Sequence, residues 1–119
     1  VMALTADHGS TPSAASTGAY GIDQTALADD VNAAFDTDGD DVPALASFRV
    51  TQLWFNVAEL EEQGHSLGDV ADFLMRYTVE DNAADPSAVP SALRNERLFA
   101  AAFPGEVLDG LPCLEATSG

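Results

Sequence analysis

Residues 48–57, Phe-Arg-Val-Thr-Gln-Leu-Trp-Phe-Asn-Val, concentrate aromatic and β-branched side chains between two segments of helical period. Such side chains fit a pleated, half-buried surface, so this run is the best strand of the chain. Apolar groups fall on both of its faces around Trp54 and Phe55, which predicts an inner strand and gives both rings to the core. Upstream, Leu27, Val31, Ala34 and Phe35 recur at i, i+4, i+7 and i+8 and predict a helix over 23–35 with Asp23 as N-cap. Asp29, Asp30 and Asn32 lie on its other side, and Asp36-Thr37-Asp38-Gly39-Asp40-Asp41 followed by Pro43 stops it. Downstream, an acidic helix over 57–63 ends at Gly64. Ser66 with Asp69 three residues on forms a capping-box signature for a helix over 67–77, with Leu67, Val70, Ala71, Leu74 and Tyr77 on one face. Residues 81–90 hold two prolines and read as a loop. Ser91 is placed to cap a last helix to Phe103, with Leu98, Phe99 and Ala102 facing inward, and the tail carries one more apolar cluster from Val107 to Leu114.

The chain opens on Val1-Met2-Ala3-Leu4-Thr5-Ala6, a short apolar strand, and residues 10–20 form a tract of small residues expected to be a flexible loop. Strand, loop, helix, strand, helix, helix is an α/β order. Two strands make a poor sheet, and the apolar strand starts at the first residue. The expectation is therefore a single partial domain over 1–119, a fragment of an α/β/α sandwich with few strands and amphipathic helices, missing the N-terminal part of its sheet.

Charge narrows the partners. Twenty acidic residues face four arginines and no lysine, for a net charge of −16 over 119 residues. A surface of that sign repels nucleic acid and anionic headgroups, and suits bound cations or a solvent salty enough to screen it. No run approaches the roughly 18 apolar residues of a membrane span, while 46% apolar residues leave enough material for a core. The lone Cys113 has no second cysteine for an intrachain disulfide or a thiolate cluster. Phosphate-cradling Gly-Lys loops, Gly-x-Ser-x-Gly elbows and Gly-x-Gly-x-x-Gly turns are absent from the sequence. Nothing in it fixes an oligomeric state.

Thr5-Ala6-Asp7-His8-Gly9 follows the opening strand directly. Asp7 and His8, side by side at a strand's carboxyl end, offer a hard carboxylate oxygen and an imidazole nitrogen to one divalent ion, a donor pair suited to zinc. Gly9 lets the backbone turn without crowding the ion. A solvated surface turn is the alternative. Strand-Thr-Ala-Asp-His-Gly resembles the late metal-binding segment of the alkaline phosphatase superfamily, nearest to its type I phosphodiesterase and nucleotide pyrophosphatase branch. The segments Gln52-Leu53-Trp54-Phe55-Asn56, Asp72-Phe73-Leu74-Met75-Arg76-Tyr77-Thr78 and Arg97-Leu98-Phe99-Ala100-Ala101-Ala102-Phe103-Pro104 are more loosely similar to bacterial members.

The resemblance implies two divalent ions, usually zinc, flanking the phosphoryl group of a small phosphate-ester substrate, with Asp7 and His8 as ligands of the ion beside a Thr or Ser nucleophile. It places that nucleophile and the first acidic ligands upstream of Val1, so the chain would supply a ligand pair to a hydrolase and be inactive by itself. It also implies a periplasmic or extracellular setting, and a further ligand His usually followed by Gly. His65 is the only other histidine, in Gly64-His65-Ser66, where a helix cap follows instead; a linker His between two helices is the alternative. Asp36-Thr37-Asp38-Gly39-Asp40 invites a calcium loop. Counted from Asp36, however, position 6 is Asp41 and position 12 is Ser47, where an EF-hand needs Gly and Glu. A solvated acidic turn is expected there, with a weak calcium site as its alternative. Two function classes therefore remain: part of a metal-dependent phosphate-ester hydrolase, or a small acidic helical module that binds cations or a basic partner and does no chemistry.

Overall fold

A computed structural model describes residues 20–49 and 52–110. The first helix, α1 (Gln24–Phe35), starts where Asp23 accepts hydrogen bonds from the Thr25 and Ala26 amides at 3.0 and 3.1 Å, and buries Leu27, Val31 and Phe35. The polar side of α1 is not simply solvated. Asn32 Oδ1 accepts from the Leu45 amide at 3.1 Å, and Asp30 accepts from the Tyr77 hydroxyl. These contacts tie the helix to two segments further along the chain, one at Leu45 and one at Tyr77.

The expected strand over 48–57 is instead part of a hairpin, with β1 (Leu45–Arg49) antiparallel to β2 (Gln52–Phe55). Leu45 faces Phe55, Phe48 faces Leu53 and Arg49 faces Gln52, with the register slipping between Leu45 and Ser47. Period-two apolar alternation marks strand residues but not where a chain reverses, so one long strand and two short ones read alike. In this two-stranded sheet neither strand is an inner one. Phe55 packs on the core as expected, whereas Trp54 is 46% exposed.

Helix α2 (Val57–Glu62) is capped by Asn56 and closes as the sequence suggests. Gly64 takes φ +79°, its amide donates to Glu61 O at 3.0 Å, and the His65 amide donates to Leu60 O at 2.8 Å. This is a Schellman closure, in which a left-handed glycine lets two successive amides reach back to the last turn. Helix α3 (Leu67–Arg76) has the full capping box, with Ser66 Oγ accepting from the Asp69 amide and Asp69 accepting from the Ser66 amide at 2.8 Å. The Ser66 hydroxyl, donating to Asp69 at 2.7 Å, and then the Ser66 amide hold the Asp69 carboxyl below its usual range. Leu27, Val31 and Phe35 meet Ala44, Leu45, Leu60, Val70, Leu74 and Tyr77 in one core. Helices with a two-stranded antiparallel sheet make a mixed α/β body with few strands, in the expected class.

The helix expected over 91–103 does not form. Residues 77–80 instead pair with 94–98: Val79 N donates to Glu96 O, Glu80 N to Arg94 O and Leu98 N to Tyr77 O, at 2.8–3.2 Å. The Leu98 amide and the Arg94 carbonyl would have bonded each other in a helix, so long-range pairing removes that turn. Leu98, Phe99 and Ala102 still pack against the core. A short helix, α4 (Gly105–Asp109), starts just after Pro104. Among the described residues no helix is long and apolar enough to cross a membrane.

Candidate functional site

Asp7 and His8, with the expected opening strand and residues 10–19 of the expected loop over 10–20, lie outside the described residues, as does Cys113. The described chemistry gathers elsewhere, at the acidic turn after α1. Asp38 accepts from the Asp40 amide at 3.1 Å, Asp40 accepts from the Val42 amide at 2.6 Å, and Gly39 between them sits at φ +76°. Short carboxylates that bond backbone two residues on fold such turns by themselves. The turn is fastened to α2 by Gln63, whose Oε1 accepts from both the amide and the hydroxyl of Thr37, at 2.6 and 3.0 Å. Gln63 Nε2 in turn donates to Glu59 Oε1 at 2.7 Å.

The result is that one carboxylate oxygen each from Asp38, Asp40 and Glu59 lie within 4.8 Å of one another. Glu59 is the buried member, at 4% exposure, and the two aspartates are exposed. The sequence points to the turn but not to its third carboxylate, because an EF-hand count leads to Ser47 while the group that arrives is Glu59 from the next helix. The Gln63 hydrogen bond lowers the Glu59 pKa, but burial and the negative Asp40 and Asp38 outweigh it, leaving the carboxyl above its ordinary 4.5. These three side chains could share one hard cation such as calcium, which takes oxygen ligands from a flexible set. Each of the three also accepts a hydrogen bond from inside the protein.

His65 does not join it. Its ring stands edge-on to Phe35 with centroids 5.1 Å apart, half-buried between α2 and α3, so the linker position carries packing. The Tyr77 hydroxyl donates to Asp30 over a groove of about 580 Å3 that Arg76 and Asp81 also line. Burial first, and the Asp30 hydrogen bond second, push the Tyr77 phenol well above its ordinary value, with the Asn82 hydrogen bond opposing. A phenol held neutral in this way is a donor that fixes α1 on α3, not a base.

A raised carboxyl pKa binds its proton more tightly in the folded chain than in the unfolded one. The stabilisation is full below the unfolded value and is lost as pH rises through the folded one. Glu59→Gln, which keeps the oxygen facing Gln63, is therefore expected to raise the urea midpoint at pH 7 and to leave it unchanged near pH 3. Calcium at millimolar concentration should raise the midpoint of the original chain but not of the variant. Equal midpoints for the two chains at pH 7 would remove the repulsion from the account.

Comparison with known proteins adds no relative: no family model, no curated protein and no solved structure matches the chain.

Proposed function

We propose that this chain is part of a metal-dependent phosphate-ester hydrolase of the alkaline phosphatase and phosphodiesterase type, to which it supplies Asp7 and His8 as a metal-ligand pair. The observation that carries the reading is Thr5-Ala6-Asp7-His8-Gly9 behind an apolar run, where one carboxylate, one imidazole and a glycine stand in the order of the metal-binding segment that the sequence resembles. Divalent metal at such a site supplies charge neutralisation for the phosphoryl oxygens and a lowered pKa for the nucleophile. Asp7 would hold the ion through an oxygen and His8 through a ring nitrogen. A substrate anion approaching a chain of charge −16 is opposed at long range, so the bound cation must provide the local attraction. An isolated pair falls short of the three protein ligands of a catalytic zinc site, so this chain is expected to bind zinc without turning over an ester.

Isothermal titration with zinc at fixed pH and high salt tests the pair directly. The expected result is a binding event in the chain that disappears in the Asp7→Ala, His8→Ala double variant. Equal heats in the two proteins, or no heat in either, would reduce Asp7-His8-Gly9 to an ordinary turn. The second reading, an acidic binding module without catalytic activity, is favoured by the meeting of Asp38, Asp40 and Glu59, and the calcium comparison above is its test.

A further inference from the structure

A groove of about 710 Å3 with a largely apolar lining runs between the hairpin, α3 and the chain over 99–108. Leu53 and Trp54 line it from β2, Val57 from the start of α2, Leu74 from α3, Phe103 from the following segment and Leu108 from α4. None of the lining residues is charged. Trp54 and Phe103 are 46% and 65% exposed, a high fraction for rings of this size. The rim has a sign. Glu61 stands one helical turn beyond Val57 on the same face of α2, and Asp109 one turn beyond Gly105 on the same face of α4, both of them exposed. Against these two acids stands Arg49, opposite Gln52 in the hairpin.

We propose that this groove docks a cationic amphipathic helix of a partner protein, its apolar ridge lying along Trp54, Phe103 and Leu108 and its Lys or Arg flanks facing Glu61 and Asp109. An uncharged apolar trough with an acidic rim is complementary to that ligand on both counts. The net charge of −16 steers cations toward it and repels an anionic membrane or nucleic acid. The inference is independent of the phosphate-ester reading, because no groove residue belongs to the Asp7-His8 pair.

Trp54 is the only tryptophan of the chain and lies in the groove, so its fluorescence reports occupancy. The full chain is titrated with a synthetic Leu/Lys amphipathic helix, with its Leu/Glu counterpart, and with a Lys peptide lacking the apolar ridge. A saturable blue shift is expected with the Leu/Lys helix alone, weakening at high salt as the charges are screened. Phe103→Ser with Leu108→Ser should weaken it at least about tenfold, since exposed anchors contribute to the interface and not to the fold. Glu61→Lys with Asp109→Lys should weaken it without touching the apolar lining. Unchanged far-UV circular dichroism shows that both variants are folded. Overturning results are no shift with the Leu/Lys helix, equal binding of the Leu/Glu helix, or retained affinity in the Phe103, Leu108 variant. So are a peptide-free shift that grows with chain concentration, which would assign the groove to a second copy, and a Trp54 already blue-shifted and shielded from quencher in the free chain.

Discussion

Leu27→Ala is expected to lower the free energy of unfolding by about 2–5 kcal/mol, the range for deleting a fully buried leucine. Leu27 has no exposed surface and shares one apolar cluster with residues of the hairpin, α2 and α3. A void there is bounded by several elements, and none can close it without leaving its other contacts, so the cavity cost adds to the lost transfer energy. Whole domains are stable by only about 5–15 kcal/mol, which makes this single truncation a large share of the total. Leu27→Met, which keeps volume, should cost less than about 1.5 kcal/mol. Urea unfolding followed by far-UV circular dichroism reads both. A loss below about 1 kcal/mol for the alanine variant would place the energetic centre of the fold elsewhere.

What the sequence discloses of this fold is what short-range physics decides. Asp23, the Ser66-Asp69 box and Gly64 each satisfy backbone groups within a few residues of themselves, and all three mark helix ends where they stand. Leu27, Val31 and Phe35 lie inside for a similar reason, since helical spacing alone sets them on one face. Misreadings begin where distant backbone competes. Residues 91–103 have helical spacing, but the Tyr77 carbonyl and the Glu80 amide take the groups that a helix would use. The run over 48–57 has strand composition, yet β2 finds its partner in the residues just before it, which leaves Trp54 half out of the core.

The same limit governs the candidate sites. Asp38 and Asp40 are visible as an acidic turn, but Glu59 joins them only because Gln63 bonds both it and Thr37, a link of 26 residues that no local pattern announces. His65 has the residue type of a ligand, and its position at the end of a Schellman closure turns the ring toward Phe35. Asp7 and His8 show the opposite case. The sequence sets a carboxylate beside an imidazole, but a catalytic metal site needs a third donor from elsewhere in the chain, and one sequence shows spacing along the chain, not distance across it.

Asn82 carries the second large effect, from a segment whose composition reads only as a loop. It is fully buried, and its amide closes a ring with the backbone of Asp23, 59 residues away: Nδ2 donates to Asp23 O and Oδ1 accepts from Asp23 N, both at 2.8 Å, while the Tyr20 hydroxyl donates to Oδ1 at 3.4 Å. The Asp23 side chain is meanwhile capping α1, so Asn82 sets the position from which the helix starts. Asn82→Ala removes both main bonds and leaves a void, and is expected to cost about 2–3 kcal/mol. Asn82→Asp is the sharper test because it keeps the shape and exchanges the donor for an oxygen facing the Asp23 carbonyl. Its buried carboxyl must have a raised pKa in the folded state, so the variant should hold best at acid pH and lose stability as pH rises through that value. Unfolding midpoints of the three proteins across pH 4 to 8 separate the contributions. The alanine variant should run parallel to the original chain, and the aspartate variant should fall away from both toward neutral pH. Parallel curves for all three would mean that water already reaches the amide and that α1 is held by its own cap.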